Sequence, residues 1–240
     1  MLQGVELWKG FPARGGRRRV LEACTLSVPP GLITGIAGLN GVGKSTLLRI
    51  LAGLLQPDRG RVLIHGRDLS ARPLERRRRV ALVQAETRGF YWRLSCRDNL
   101  RFFAVLADPR QPRSAREEAV QGALERFGLE GHAEQRFMTL SSGFMQRMAL
   151  ARGLLQGGEW LLLDEPSREL DPRARSRLLD LVATQAAARG TGVAWVTHRP
   201  DELEGRAVGF LVLGPGGAVT PCGTAAEASE HLSAGRDGEG

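Results

Sequence analysis

Short apolar runs, bounded by turn residues, dominate the first third of the chain and the part after residue 158. Runs of roughly four to eight apolar residues between Gly, Pro, Asn or Asp are typical of buried strands. We expect a basic loop between the first two strands and a terminal hairpin from the last two. The pattern predicts strands at 2–8, 20–28, 32–37, 61–65, 80–84, 160–163, 192–197, 207–213 and 218–221.

Helical periodicity replaces the strand pattern between about residues 85 and 157. Ser114 to Glu117 fits a capping box, apolar residues then recur on one face, and Gly128 follows as a stop signal. A further helix is predicted from Asp171-Pro172 to about Arg189. The chain is therefore predicted to have an α/β core at about 2–84 and 158–222, a helical lobe inserted at about 85–157, and a flexible tail at 233–240.

One glycine-rich loop between a predicted strand and a predicted helix fits the phosphate-binding pattern G-x-x-x-x-G-K-[ST]. Its glycines would let backbone N–H groups close around phosphate oxygens at a helix N-terminus. Lys44 would meet the β- and γ-phosphates, and the Ser45 hydroxyl would hold Mg²⁺. Lys occurs elsewhere only at Lys9, in a chain whose other basic residues are Arg. The loop consists of Gly38, Leu39, Asn40, Gly41, Val42, Gly43, Lys44, Ser45 and Thr46.

Composition narrows the class of protein. The chain has 240 residues, of which 42% are hydrophobic and 5% aromatic, which suits an aliphatic α/β core. No apolar stretch approaches the roughly 20 residues that cross a bilayer, and the N-terminus lacks the features of a secretory signal. Three scattered cysteines, Cys24, Cys96 and Cys222, predict no disulfide framework or metal site and fit a reducing cytosol.

The formal net charge of +8 raises the possibility of a nucleic-acid or anionic-membrane partner. The basic clusters at 17–19 and 76–79 are not interleaved with aromatic residues, as single-strand binding surfaces tend to be. We therefore favour solvated basic surfaces and expect no nucleic-acid partner.

Two further segments supply groups that a phosphate loop needs. The apolar run 161–163 ends in Asp164 and Glu165, so Asp164 is expected to hold Mg²⁺ and Glu165 to polarise the attacking water. Ser141, Ser142 and Gly143 precede a helical pattern and form a second candidate anion site. A dimer would use both sites, because each chain's second site could face the other chain's nucleotide.

Taken in order, these segments make the chain resemble the nucleotide-binding domain of an ABC transporter, and the resemblance spans residues 2–232. It implies a P-loop NTPase core in which a mixed sheet carries N-terminal antiparallel strands, with an inserted α-helical lobe. It implies ATP and Mg²⁺ as ligands, Phe11 stacking on adenine, and Gln84 touching Mg²⁺ and water. Residues 140–146 would be the signature, and residues 161–165 would be the Walker B strand with the catalytic Glu165. Residues 167–171 would be the D-loop, whose last residue, Asp171, would face the nucleotide. His198 would be the switch histidine.

The chain departs from the usual family pattern at three places, of which the mildest is Phe11 instead of the commoner Tyr. Ser142 and Phe144 replace Gly and Gln in the signature, and a Leu-Ser-Ser-Gly signature is common among export systems with a separate membrane subunit. Arg168 and Glu169 replace small D-loop residues, which puts D-loop contacts across a dimer and the hydrolysis rate in question. The aromatic segment 90–94 also resembles export-type cassettes, where it either docks the membrane subunit or packs inside the lobe.

The resemblance therefore implies an ATP-hydrolysing subunit that powers an exporter through ATP-driven, head-to-tail dimerisation of two cassettes. Its partners would be an integral membrane permease and a second cassette at the cytoplasmic face of the membrane. Two alternatives remain open: a soluble ABC ATPase acting on nucleic acid or an assembly, and an ATP-dependent dimerisation module that hydrolyses slowly. A P-loop kinase or GTPase is a distant third, and the sequence contains no guanine-reading Asn/Thr-Lys-x-Asp stretch.

Overall fold

The computed structural model describes residues 1–13, 15–84, 89–155, 158–168 and 170–237. The strands are β1 Leu2–Ala13, β2 Gly16–Val28, β3 Ile33–Gly38, β4 Arg59–Ile64, β5 Arg67–Asp68, β6 Val80–Gln84, β7 Trp160–Asp164, β8 Gly192–Thr197, β9 Ala207–Leu213 and β10 Val219–Cys222. The α-helices are α1 Lys44–Leu51, α2 Pro73–Arg79, α3 Cys96–Ala107, α4 Arg113–Arg126, α5 Ser142–Leu155, α6 Pro172–Arg189 and α7 Ala225–Asp237.

The central layer is a six-stranded sheet in the order β10-β9-β3-β8-β7-β6. β9, β3, β8, β7 and β6 pair in parallel, and β10 closes one edge as an antiparallel hairpin with β9. Because parallel strands end at the same edge, the loops after β3, β6, β7 and β8 meet there. That edge carries the phosphate loop, Gln84, Asp164 and His198.

Alternate residues of the central strands face two different hydrophobic cores. On β7, Leu161 and Leu163 face a core shared with α5, α6 and the helical lobe. Trp160 and Leu162 face a second core, which contains α1 and the strands near the N-terminus. Strands covered on both faces give the continuous apolar runs that mark them in the sequence.

The N-terminal strands form a separate antiparallel sheet in the order β2-β1-β4-β5, packed over α1. The Trp160 indole Nε1 donates a hydrogen bond of 3.1 Å to the Val28 carbonyl oxygen at the end of β2. This bond joins the antiparallel sheet to the central one. The α/β core with N-terminal antiparallel strands and an inserted helical lobe is confirmed.

Helices α3, α4 and α5 pack against one another and form the lobe. Phe127, Phe137 and Leu124 are almost completely buried between them. Phe90 stacks on Phe137 with ring centroids 4.4 Å apart. No helix in the described part of the chain is both long enough and apolar enough to cross a membrane.

Two local predictions were wrong. Residues 17–19 belong to strand β2 rather than to a loop, because β1 and β2 continue as a hairpin past Phe11. Helix α4 begins at Arg113 after Pro112 and has no side-chain cap, because Glu117 instead forms an ion pair with Arg101 at 2.9 Å. Helix α7, Ala225–Asp237, packs Ala228 and Leu232 against the core, and the flexible tail at 233–240 stays a prediction.

Gly35 lies at the centre of β3, the strand that leads into the phosphate loop. A Cβ there would collide with Phe210, whose Cε1 would be 2.7 Å away. We expect Gly35→Ala to lower the free energy of unfolding by about 1–3 kcal/mol, because the buried Phe210 ring must shift. Urea denaturation would measure this.

Gly209 on the neighbouring strand is the matched control, since a Cβ there meets only the Cys222 carbonyl oxygen at an ordinary 3.5 Å. Equal unfolding free energies for Gly35→Ala and Gly209→Ala would contradict the packing argument.

Candidate nucleotide site

The phosphate loop connects β3 to α1 and depends on glycine at three positions. Gly41 and Gly43 have φ values of 83° and 110°, in the left-handed region that glycine adopts without strain. A Cβ on Gly38 would lie 2.6 Å from the Leu213 carbonyl oxygen, and one on Gly43 would lie 2.8 Å from Val20. The backbone can therefore pass closely around a ligand, and the first N–H groups of α1 have no partner within the helix.

The Lys44 side chain folds back over this loop. Its Nζ donates hydrogen bonds of 2.7 Å to the Gly38 carbonyl oxygen and 2.8 Å to the Leu39 carbonyl oxygen. Burial lowers the pKa of Lys44, while the negative charges of Glu165 and Asp164 raise it. The Lys44 ammonium has three N–H donors, of which two are used by these carbonyl oxygens. Because its charge is partly desolvated, an anionic phosphate is a suitable additional partner.

The acidic side of the site comes from the ends of two paired strands. Gln84 and Asp164 are direct partners at the ends of β6 and β7. Glu165 follows with φ of 50°, a left-handed conformation that is uncommon for a residue other than glycine. Its backbone N–H donates 3.1 Å to the Val196 carbonyl oxygen, so β8 holds this residue in place.

A histidine and an arginine side chain lie near the Glu165 carboxylate. His198 Nδ1 is 3.7 Å from Oε1, and Arg168 Nη1 is 3.8 Å from Oε2. The predicted catalytic pair Glu165 and His198 is thus together. Arg168, a departure from the family pattern, faces the same carboxylate. Glu169 lies outside the described residues.

These groups surround a cavity of about 720 Å³, large enough for a nucleotide. It brings together Phe11, Asn40, Gly41, Gly43, Lys44, Ser45, Thr46, Gln84, Asp164 and Glu165. An adjoining cavity of about 520 Å³ is lined by Gly38, Leu39, Asn40, Glu165, Arg168, His198 and Leu232. Val42 instead packs toward the core beneath the antiparallel sheet.

The residues fit Mg²⁺ together with a nucleotide better than they fit a metal ion alone. No group of three or more His, Cys, Asp or Glu residues among the described ones could hold a metal. Mg²⁺ takes few protein ligands and usually completes its shell with phosphate oxygens and water. The Ser45 hydroxyl, the Gln84 amide and the Asp164 carboxylate would supply that small set.

Phe11 lies on the β1–β2 hairpin, with about 38% of its surface exposed at the rim of the cavity. Asp58, from the start of the neighbouring strand, anchors this hairpin. It accepts hydrogen bonds from Gly10 N at 2.9 Å, Lys9 Nζ at 3.1 Å and Arg17 Nη2 at 2.6 Å. The Gly10 hydrogen bond, aided by Lys9 and Arg17, holds the pKa of Asp58 below its usual value.

The signature residues are not part of this cavity. Ser141 and Gly143 line a separate pocket of about 190 Å³ together with Asp171, and Ser142 is the first residue of α5. The Asp171 carboxylate caps α6 by accepting hydrogen bonds of 2.9 Å from Arg173 N and Ala174 N. Within one chain, the second candidate anion site is therefore apart from the phosphate loop.

The aromatic segment 90–94 was predicted either to dock the membrane subunit or to pack inside the lobe, and its residues differ in exposure. Phe90 is 5% exposed within the lobe, whereas Tyr91 and Trp92 are about half exposed. The segment therefore both packs the lobe and presents an aromatic surface. Residues 85–88, between Gln84 and this segment, lie outside the described residues.

Sequence reasoning missed three residues around the nucleotide cavity. Arg18 and Arg49 line it, and Asp58 supports its rim through the hairpin. Arg18 belongs to a basic cluster that we interpreted as a solvated surface. Arg18 differs from its neighbours in the cluster because it pairs with Phe11 across the hairpin. This pairing depends on the strand register.

Comparison with known proteins extends these observations. A family model described as ABC transporter matches residues 21–168. The aliphatic sulfonates import ATP-binding protein SsuB of Mycobacterium avium is 38% identical over 91% of this chain and 78% of its own. The thiamine import ATP-binding protein ThiQ of Mesorhizobium japonicum is 41% identical over 80% and 74%, respectively. The daunorubicin/doxorubicin resistance ATP-binding protein DrrA of Streptomyces peucetius is 34% identical over 89% and 63%.

Among solved structures, cbiO1 of Clostridium perfringens, part of the ABC transporter complex cbiONQ, superposes with a TM-score of 0.84. It is 27% identical, and the match covers 98% of this chain and 93% of that one. The family match, these relatives and the phosphate-loop cavity agree: the chain belongs to the ABC transporter family as an ATP-binding subunit, an ATPase that uses ATP and Mg²⁺.

Proposed function

We propose that this chain hydrolyses ATP at the cavity between the phosphate loop and the ends of β6, β7 and β8, to drive a membrane permease. The observation that carries the proposal is the meeting of Lys44, Ser45, Gln84, Asp164 and Glu165 in one cavity. Phosphoryl transfer needs positioned cations, a metal and an oriented water, and this set can supply each of them.

Each residue has a distinct task in this proposal. Lys44 and the backbone N–H groups of the loop bind the phosphates, and Phe11 stacks on the adenine. Ser45, Gln84 and Asp164 hold Mg²⁺, which neutralises phosphate charge when it is bound. Glu165 accepts a hydrogen bond from the attacking water and orients it in line with the γ-phosphate. His198, beside Glu165, helps to hold that arrangement.

We infer that two copies act together, head to tail. Ser141 and Gly143 line a pocket that is separate from the nucleotide cavity of the same chain. A second copy would give this pocket a ligand, because it could cover the partner's nucleotide. The exposed Tyr91 and Trp92 would face the permease. As an ATP-binding subunit of a membrane transporter, the chain would work at the cytoplasmic face of the membrane.

We propose export as the direction of transport. Support comes from the resemblance of the signature and of segment 90–94 to export-type cassettes, and from the drug-resistance relative DrrA. SsuB and ThiQ carry import in their names, so the direction requires its own experiment.

That experiment begins with the tagged chain purified from gently solubilised membranes of its own host. We expect a multispan membrane protein in stoichiometric amount. A chain recovered only in soluble form, alone or with nucleic acid, would contradict the transporter role while leaving the ATPase chemistry intact.

Inside-out vesicles that contain the complex then test the direction. With ATP outside, we expect a small molecule or lipid to accumulate in the vesicle interior or inner leaflet, as mass spectrometry would show. ATP-dependent loss of a compound from the vesicles would instead indicate import.

The water-orienting role of Glu165 predicts the effect of one isosteric change. We expect Glu165→Gln to bind ATP as wild type does, but to lower kcat by at least ~10²-fold, because the amide is a poor acceptor for the water proton. Phosphate release and equilibrium nucleotide binding would measure the two quantities.

Glu159, a half-buried carboxylate just before the start of β7 and away from the cavity, gives the matched control Glu159→Gln. Near wild-type hydrolysis by Glu165→Gln would remove Glu165 from the mechanism. Barely detectable hydrolysis by the wild-type chain, both alone and with its permease, would favour the slow dimerisation module instead.

The support of the Phe11 hairpin by Asp58 predicts a defect in binding rather than in chemistry. We expect Asp58→Ala to raise the Kd for ATP roughly 3- to 10-fold with little change in kcat, because the hairpin must be ordered when the nucleotide binds. Titration calorimetry and steady-state kinetics would separate the two effects.

Glu22→Ala is the control, because Glu22 pairs with Arg19 at 3.0 Å on the same hairpin and does not contact Asp58. An unchanged Kd for Asp58→Ala would show that the hairpin needs no anchor.

A further inference from the structure

A buried carboxylate lies behind the catalytic edge of the sheet. Glu202 belongs to the short 3₁₀ turn Pro200–Leu203 that follows His198, and its side chain is only 2% exposed. Its Oε2 accepts a hydrogen bond of 2.7 Å from the Ser167 hydroxyl, and its Oε1 accepts one of 3.0 Å from the Trp195 indole. Both carboxylate oxygens are thus engaged.

Arg175 of α6 balances the charge of this carboxylate. Its Nε lies 3.4 Å from Glu202 Oε2, and its side chain is 14% exposed. Its Nη2 also donates 3.2 Å to the Leu170 carbonyl oxygen. A buried carboxylate is tolerated only with such partners, so the protein keeps all of these groups in one arrangement.

The three partners of Glu202 come from the segments that hold the catalytic groups. Ser167 is two residues beyond Glu165. Trp195 is three residues before His198, and its neighbour Val196 accepts the hydrogen bond from the Glu165 N–H. Arg175 donates a hydrogen bond to the Leu170 carbonyl oxygen, in the segment between Glu165 and α6. Displacement of any one segment therefore strains the same carboxylate.

We propose that Glu202 is a positioning residue, which fixes the loop after Glu165 relative to the segment that carries His198. It lines neither of the two cavities around the phosphate loop; it acts through Ser167 and Trp195. This inference rests on the proposed roles of Glu165 and His198. Such groups must be held within a fraction of an ångström of the productive geometry, so loosening the link affects the chemical step.

Single substitutions on the two sides of the link provide the test, with the purified full chain and saturating ATP. We expect Ser167→Ala and Glu202→Gln each to lower kcat about 10-fold. The Kd for ATP should remain within about twofold of wild type, because the phosphate loop and Phe11 are untouched. Ser167→Thr keeps the hydroxyl and should restore most of the activity.

The double variant shows whether the two residues act through one link. Two independent losses would multiply to about 100-fold, whereas a shared link predicts about the same 10-fold loss as either single variant. Thermal unfolding of each variant identifies loss of folded protein, and kcat is expressed per nucleotide-binding site.

Two controls match the changes. Asp201→Asn alters the adjacent carboxylate, which is 69% exposed in the same turn, and Thr184→Ala removes a hydroxyl that donates to the Asp180 carbonyl oxygen on α6. Both should retain wild-type kcat. The proposal is overturned if Ser167→Ala and Glu202→Gln match these controls, if their effects multiply, or if Ser167→Thr is as slow as Ser167→Ala.

Failure of this inference is distinguishable from failure of the proposed function. If the wild type hydrolyses ATP and Glu165→Gln does not, while the Ser167 and Glu202 variants keep full kcat, only the positioning role is lost. If Glu165→Gln remains active, the proposed mechanism itself is wrong.

Discussion

Parallel pairing of β3, β8, β7 and β6 is the constraint on which the rest of the structure depends. It aligns Gln84 with Asp164 and Asp164 with Val196, so groups far apart in sequence end at one edge. A shift by one residue would turn Asp164 toward the opposite core and replace it with an apolar neighbour. The two cores on either side of β7 oppose that shift, because each requires its own alternate set of Leu and Trp side chains.

The nucleotide cavity lies between the central, mainly parallel sheet and the N-terminal antiparallel sheet. The phosphate loop and the acids belong to the parallel sheet, whereas Phe11 and Arg18 come from the antiparallel hairpin. Trp160 joins the layers through its hydrogen bond to the Val28 carbonyl oxygen, and Asp58 fixes the hairpin against the start of β4. The site therefore depends on packing between the layers as well as on the loop itself.

Charge is distributed unevenly around the Glu165 carboxylate. Asp164 and Glu165 oppose the effect of burial on Lys44, and Arg168 and His198 face Glu165 from the other side. Phosphate binding would add negative charge to this balance, and the Lys44 ammonium, which has one N–H beyond its two carbonyl contacts, is a suitable partner for it. Glu202 stands outside this group of charges, since it lines neither cavity and its carboxylate is paired with Arg175.

Local chemistry in the sequence was sufficient for the phosphate loop, the strand ending in Asp164-Glu165, the helix start at Asp171 and the order of core and lobe. Glycine spacing, apolar periodicity and caps act over a few residues, so they can be interpreted without the fold. Only the tertiary structure decided that Arg18 lines the cavity, that Asp58 anchors the hairpin 48 residues away, and that Glu202 accepts a hydrogen bond from Ser167, 35 residues before it. Periodicity in the sequence predicts which side chains are buried. Strand register and the packing of the two sheets determine which other side chains they contact.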